Sequence, residues 1–307
     1  MKVLICDPIN REAIEFLKRN GIEAVFKPEI SFSDLKGEVK QFDAILVRSR
    51  TKVTKEIIAN GKNLKVVGRV GSGYDNIDIQ ACRESKITVI NAPEANSQAV
   101  AEMTVGFIIS LIRKMEPAFS SMRSGGWIKN SIWGRELNGL TVGIIGYGYV
   151  GKRVVELLKA FGCRILIFSK KFRTSTLEEI FTNSDIVSLH LALNSQSSGL
   201  IDKRLLVKMK KDSYLINIAR GKVINEDDLY EILQQRRIAG AALDVFWEEP
   251  LPAGSRWRKL ENVILTPHIG AATNEALKRA GLTVAEDIVR INRGENPKYE
   301  VKLDIFL

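Results

Sequence analysis

The sequence predicts an α/β protein built on two parallel, doubly wound sheets. Three observations carry that reading. Short apolar strand patterns alternate with amphipathic helix patterns up to about residue 97, a second alternating series begins at Leu140, and the glycine-rich turn "GYGYVG" joins the first strand of that second series to a helix. Strands that alternate with helices build parallel sheets covered on both faces. At 307 residues the chain is long enough for two ordinary domains.

The first series opens with "KVLICD" (2–7) and the helical "REAIEFLKRN" (11–20), where Ala13, Ile14, Phe16 and Leu17 share a face. Strand patterns follow at "IEAVFK" (22–27), "AILVRS" (44–49), "LKVVGRV" (64–70) and "ITVINAP" (87–93). From about Ala99 a long helical pattern runs through "AEMTVGFIISLIRKM", and the loop-like "SGGWIKNSIWGRELNG" comes next. The second series has strands at "TVGIIG", "RILIFS", "DIVSLHLAL", "YLINIA", "AALDVF" and "VILTPH", and a helix over 274–294 closes the chain. No repeat of solenoid length and no low-complexity segment is present.

Composition narrows the function classes. The longest apolar run, "VGFIISLI" (105–112), is too short to cross a bilayer, so no membrane partner is expected. The start "MKVLICDP" enters a strand pattern directly, with no leader-like apolar region. Cys6, Cys82 and Cys163 are widely spaced in or beside apolar segments, as expected of free thiols in a cytoplasmic protein. With only two histidines and scattered cysteines, no metal site is expected. The net charge of +10 is spread among acids without a dense basic tract, which argues against nucleic acid and for a surface that attracts small anions.

The dinucleotide signal lies in "TVGIIGYGYVGKRVVELLKAFG". Gly146 permits a tight turn, Gly148 lets a pyrophosphate approach the backbone, and Gly151 lets the helix pack on the sheet. The start of that helix, Tyr149 and Val150, presents N–H groups to the phosphates. Val150, Val154, Leu157, Leu158 and Phe161 form its expected buried face. "GRVGSGYDN" (68–76) is also glycine-rich, but it lacks the third glycine and a following helix of that kind, so it is expected to line the cleft. An acid would ordinarily end the next strand and hold the adenosine ribose. Ser169 stands there instead, followed by Lys170, Lys171 and Arg173. Serine removes the repulsion of a 2′-phosphate and the basic residues can pair with one, so NADP(H) is favoured over NAD(H).

Ligands of open α/β sheets collect at the carboxyl ends of strands. Three ionisable residues fall there: Arg220 after "YLINIA", Glu249 after "LDVFWE", and His268 after "VILTP".

At these residues the chain resembles the D-isomer-specific 2-hydroxyacid dehydrogenases, through "GIIGYGYVGKRV", "LINIARGKVINEDDL", "AGAALDVFWEEPLP" and "NVILTPHIGAAT". The resemblance implies that Arg220 orients the substrate, His268 is the acid/base and Glu249 is its carboxylate partner. It implies cofactor contacts from Ile218, Ala219 and Gly270, with Asp244 on the nicotinamide carboxamide. It further implies a Rossmann domain, 98–285, inserted in a flavodoxin-like substrate domain, 1–97 plus 286–307, and a homodimer built around 99–135. The substrate would be a small anionic 2-hydroxy or 2-oxo acid. A cofactor-sensing binding module is the competing class, and the complete Arg220, Glu249 and His268 set argues against it.

The N-terminal half, "LVRSRTKVT", "VVGRVGSGYDNID" and "INAPEANSQAVAE", is similar to the phosphoglycerate dehydrogenase branch. By that resemblance Arg48 and Arg69 lie near a substrate phosphate, with Arg50 a further candidate. Val70 and Gly71 would receive the substrate carboxylate through their backbone, and Ser72 would approach the nicotinamide. Ser169, and Ala192 where the family commonly has proline, depart from that branch and lean towards NADPH-linked glyoxylate or hydroxypyruvate reductases. His190 is expected to be structural or cofactor-lining. With the chain ending at Leu307, a regulatory serine-binding domain is not expected.

Overall fold

The computed structural model describes residues 1–170 and 172–302; Lys171, one of the residues expected at the cofactor, lies outside the described residues. The first strand, β1 (Lys2–Ile5), leads to α1 (Arg11–Arg19), whose start is fixed by Asn10: its side chain accepts the Glu12 N–H at 2.8 Å. The chain continues through β2 (Glu23–Phe26), α2 (Phe32–Glu38), β3 (Ala44–Val47), α3 (Lys55–Asn60), β4 (Val66–Arg69), α4 (Ile79–Glu84) and β5 (Thr88–Asn91). Then come α5 (Ser97–Ile112), α6 (Met115–Arg123), β6 (Thr141–Ile145), α7 (Tyr149–Ala160), β7 (Arg164–Phe168), α8 (Leu177–Asn183) and β8 (Ile186–Leu189). The series closes with α9 (Lys203–Leu206), β9 (Tyr214–Asn217), α10 (Glu226–Gln234), β10 (Gly240–Leu243), β11 (Val263–Leu265) and α11 (Asn274–Asn292).

Two compact units result: Met1–Asn96 with the residues from Ala272 onward, and Ser97–Ala271. The first holds a parallel sheet in the order β2-β1-β3-β4-β5, the flavodoxin-like winding expected. Its central strand β3 reads as a continuous apolar run, buried throughout, because both faces are covered. Along β3, Ala44 and Leu46 enter one core cluster, and Ile45 and Val47 enter the cluster on the opposite face. The expected return to this unit at residue 286 falls inside α11, which is one unbroken helix. Ala280 and Val284, ahead of that boundary, share the same core as Ala285, Ile288 and Val289, so the observed boundary comes earlier, at 271/272. Gly281 lets α11 press on α1, since an added Cβ would stand 3.0 Å from Ala13 Cβ. Past α11 the chain lies along the outer strand β5: Asn91 N–H donates to Tyr299 O at 3.2 Å and Val301 N–H to Val89 O at 2.8 Å. Buried Asp287 anchors that stretch by accepting the N–H groups of Lys298 (2.6 Å) and Tyr299 (2.9 Å).

The second unit holds a parallel sheet in the order β11-β10-β9-β8-β6-β7. The winding reverses between β6 and β8, the place where such sheets bind ligands. Helix α5 is apolar around much of its circumference and is buried against α7 and the sheet. The long helix expected from Ala99 ends at Ile112: Lys114 adopts a left-handed backbone (φ 52°), and the separate helix α6, with no buried side chain, follows. On α7, Val154, Val155 and Leu158 are buried; Phe161, expected inside, lies just past the last turn and is exposed. Among the described residues no helix is long and apolar enough to cross a membrane.

Candidate active site

The glycine turn has the steric form a dinucleotide requires. Gly146 adopts φ +102°, and a side chain there would meet the His190 carbonyl oxygen at 2.3 Å. Beside this approach β8 ends at Leu189, four residues short of the strand pattern's end at Leu193, with the His190 N–H making a last bond to Ile145 O at 2.7 Å. A Cβ on Gly151 would stand 2.1 Å from Gly146 O, so the helix can begin this near the turn only with glycine. At Gly148 an added Cβ meets nothing within 4 Å, and no side chain caps α7. The space beside Gly148 is thus open at the N-terminus of α7, where Tyr149 and Val150 begin the helix, and helix N-termini are the places at which phosphate binds.

After β7, Ser169 is not simply a vacant position. Its hydroxyl donates to Phe172 O at 2.5 Å and accepts the Phe172 N–H at 3.0 Å, which closes a tight turn. Phe172 then stacks on Tyr147, the residue between Gly146 and Gly148, with ring centroids 5.1 Å apart. Lys170 is exposed on this turn. His190 sits at the end of β8 with Nε2 2.9 Å from Ser188 Oγ and Nδ1 buried without a hydrogen-bond partner. Burial pulls its basicity down to a pKa of about 3, so it is neutral at ordinary pH and fits a lining role rather than proton transfer.

Arg220, Glu249 and His268 follow β9, β10 and β11, three neighbouring strands whose carboxyl ends are aligned through Asn217, Leu243 and Leu265. Glu249 Oε2 lies 2.6 Å from His268 Nδ1, and Oε1 accepts the Phe246 N–H at 2.9 Å. Burial alone would raise the Glu249 carboxyl. The hydrogen bonds from His268 and Phe246, with the charges of His268 and Arg220 nearby, outweigh it and hold the carboxyl below its ordinary range. His268 has a left-handed backbone (φ 54°), rare for a side chain of this size.

Two residues hold this backbone in place. Asp244, 1% exposed, accepts Thr266 Oγ1–H at 2.6 Å and Ile269 N–H at 2.8 Å on one oxygen, and Gly270 N–H at 2.8 Å on the other. Its carboxylate thus spans the loop that carries His268. Asn217, fully buried, accepts the Ala219 N–H at 3.1 Å and donates to Arg220 O at 2.9 Å, which pins Ile218 and Ala219 before Arg220. Asn217 was not singled out from sequence, although a polar residue in the apolar run "YLINIA" was the available signal.

In the first unit, Arg48 and Arg69 stand at the carboxyl ends of adjacent strands, since Val47 pairs with Arg69 in register. Arg48 donates from Nη1 to Pro8 O at 3.3 Å. The Arg69 guanidinium folds over the next turn: Nη1 donates to Val70 O at 2.7 Å, and a side chain on Gly71 would strike it. Val70 and Gly71 N–H already donate to Val47 O (2.8 Å) and Arg69 O (2.9 Å), so a carboxylate bound there would compete for them. Ser72 is fixed by Asn91 Nδ2 on its carbonyl (2.7 Å) and Asn96 Nδ2 on its hydroxyl (2.9 Å). Arg50 is committed inside its own unit, pairing with Asp7 at 2.9 Å and donating to the carbonyls of Cys6, Pro28 and Ile30.

Residues 105–270 match the family model of the D-isomer specific 2-hydroxyacid dehydrogenase, NAD binding domain. The chain is 38% identical to a D-3-phosphoglycerate dehydrogenase of Archaeoglobus fulgidus over 96% of its own length, and it spans 58% of that longer relative. It is 37% identical to a hydroxypyruvate reductase of Thermotoga maritima, over 94% of this chain and 97% of the relative. The chain belongs to the D-isomer-specific 2-hydroxyacid dehydrogenase family. Its fold superposes on NAD+-bound 3-phosphoglycerate dehydrogenase of Entamoeba histolytica with a TM-score of 0.84 at 31% identity, covering 99% of both chains. An acyclic imino acid reductase in complex with NADPH and D-Arg gives a TM-score of 0.91 at 28% identity, covering 98% of this chain and 100% of that one.

Proposed function

We propose that this protein interconverts a D-2-hydroxy acid and its 2-oxo acid, using a nicotinamide dinucleotide bound at the Gly146–Gly151 turn. The observation that carries the reading is the Glu249–His268 pair at the sheet's carboxyl edge, on the two strand ends next to that of Arg220. The bound nicotinamide supplies the hydride acceptor in oxidation and the donor in reduction. With Nδ1 held by Glu249, His268 exchanges the substrate proton at Nε2. Neutral His268 takes it from the hydroxyl during oxidation, and protonated His268 returns it to the forming alkoxide during reduction. Glu249 stays ionised and holds the ring's direction. Arg220 offers its planar fork to the substrate carboxylate and so aligns C2. Asp244, besides holding the His268 loop, is assigned to the carboxamide side of the cofactor with Ile218, Ala219 and Gly270.

The substrate we assign is D-3-phosphoglycerate, with 3-phosphohydroxypyruvate as its oxo form, as in serine synthesis. Arg48 and Arg69 at adjacent strand ends support it, because guanidinium forks suit phosphate. A second reading, reduction of hydroxypyruvate or glyoxylate, is favoured by the length-matched relative and by the fold of Arg69 onto Gly71. NADP(H) is the assigned cofactor, supported by the absence of an acid at Ser169 and by exposed Lys170. A homodimer through 99–135 is supported by the large apolar side chains exposed there, Trp127 (76%) and Trp133 (78%) above all.

Initial rates with 3-phosphohydroxypyruvate, hydroxypyruvate and glyoxylate, each with NADPH and NADH, test the whole reading. Preference for the phosphorylated acid supports the first substrate, and preference for the small acids moves the protein to the second. No turnover with any 2-oxo acid overturns the reaction class.

A further inference from the structure

The loops that carry Arg220 and Glu249 come from different strands, and one side chain fastens them together. Trp247 lies two residues before Glu249. Its indole stacks on Trp257, with centroids 5.2 Å apart and planes 8° from parallel, and Trp257 is itself 1% exposed. Tyr230 packs edge-on to Trp257 at 5.6 Å, and Trp257 Nε1 donates to Glu226 at 2.9 Å, so the surface on which Trp247 rests is fixed from behind. From that position Trp247 Nε1 donates to Ile224 O at 2.8 Å. Ile224 closes the short turn Gly221–Val223 that directly follows Arg220.

The two loops also touch through their backbones. A side chain on Gly221 would stand 2.2 Å from Phe246 C and 2.7 Å from Trp247 N, so the turn after Arg220 lies flat against the Phe246–Trp247 peptide. Across that peptide, the Phe246 N–H is the group that orients Glu249 Oε1. Trp247 therefore presses together the backbone that places the substrate-orienting cation and the backbone that aims the acid/base pair.

We propose that Trp247 is a positioning residue that sets the distance between Arg220 and the Glu249–His268 pair. The inference rests on the reaction proposed above. Misplacement of a reacting group by about 1 Å costs roughly a hundredfold in rate. The indole touches no reacting atom, and it acts by holding others.

The test compares Trp247→Ala, Trp247→Phe and Tyr230→Leu. Tyr230→Leu weakens the same aromatic cluster without altering either loop, so it calibrates a general loss of packing. Three experiments are made: kcat and KM for the best 2-oxo acid from initial rates, Kd for the dinucleotide by fluorescence titration, and the 15N ring signals of His268. The only other histidine is His190, so its replacement assigns the spectrum. Trp247→Ala should lower kcat roughly tenfold to hundredfold with Kd within about twofold, and the His268 ring should lose its single tautomer. Trp247→Phe, which keeps most of the stack and loses the Nε1 donor, should lose about threefold to fivefold in kcat; it carries the test if the alanine variant does not fold. Unchanged kcat in both Trp247 variants, an unchanged His268 tautomer in Trp247→Ala, or an equal loss in Tyr230→Leu overturns the proposal. The ring signals need no substrate. An inactive wild type would therefore overturn the reaction class, while the tautomer still decides the role of Trp247.

Discussion

The imidazole of His268 meets Glu249 at Nδ1, 2.6 Å from Oε2, while Oε1 of the same carboxylate is held by the Phe246 N–H. With both oxygens engaged, the carboxylate has one direction, and the ring cannot turn without giving up a charge-assisted bond. The left-handed backbone of His268 costs on the order of 1–3 kcal/mol and is retained where it aims this ring.

The pair is expected to carry the rate. His268→Ala should lose at least about a hundredfold in kcat, the usual scale of acid–base catalysis. Glu249→Gln should lose roughly tenfold or more, because the amide keeps the shape and drops the charge that steadies the imidazolium. Steady-state reduction of the preferred 2-oxo acid reads both. A His268→Ala enzyme turning over at near-normal speed would remove His268 from the mechanism.

Asp244 should matter to the loop before it matters to any cofactor. Asp244→Asn replaces one acceptor with a donor facing N–H groups, leaving a buried bond unmade at a cost of about 1–3 kcal/mol. Faster amide exchange at Ile269 and Gly270 is expected, together with a lowered Tm and a fall in kcat. Normal protection at those two amides would show that Thr266 and the neighbouring backbone hold the loop unaided.

Cofactor choice should turn on the strand end after β7. Ser169→Asp can still accept the Phe172 N–H, which keeps the turn, yet brings a charge that repels a 2′-phosphate. The ratio of kcat/KM for NADPH over NADH should fall by about tenfold or more. Lys170→Ala should raise the KM for NADPH by roughly threefold to tenfold and leave NADH nearly alone. Equal effects on both dinucleotides would place the basic turn away from the ribose.

Acid should weaken the fold in two separable windows. Burial lowers the His190 pKa to about 3. The unfolded chain takes up a proton near pH 6.5 that the folded one refuses, so stability falls as pH drops from about 6.5 towards 3, by up to about 1.4 kcal/mol per pH unit. Asp185 is also lowered, but by its partners and against burial. Burial would raise it, but Thr141 N–H, Lys210 and Arg135 together lower it. Its contribution is present above the ordinary aspartate range and is lost only as pH falls through the depressed folded value. Urea midpoints at pH 7, 5.5 and 4.5 should converge between wild type and His190→Gln as pH falls. Parallel lines would assign the first window to another group.

Much of this site was readable in the chain itself. Arg220, Glu249 and His268 could be placed because strand ends follow from apolar patterning and because ionisable residues stand out at them. The steric role of Gly146 and Gly151 was likewise legible, since backbone demands are local. What stayed hidden were the destinations of hydrogen bonds. Nothing in "VVGRVG" says that the Val70 and Gly71 N–H groups would be taken by Val47 and Arg69, and nothing in "LVRSR" says that Arg50 would serve Asp7. The helix break at Lys114 was missed for a related reason: an apolar run sets where a helix wants burial, while a left-handed residue decides where it turns. The unit boundary moved because α11 reads as one amphipathic helix whichever sheet it covers.

The stretch that Asp287 ties along β5 has a consequence for how the protein behaves in company. An outer strand with unpaired backbone groups is a template on which a foreign strand can grow. Here the chain occupies that template with its own residues 299–301, held by two bonds to one buried carboxylate. Loosening Asp287 would leave each molecule folded and offering a sticky border to its neighbours, so the first sign of damage would be turbidity.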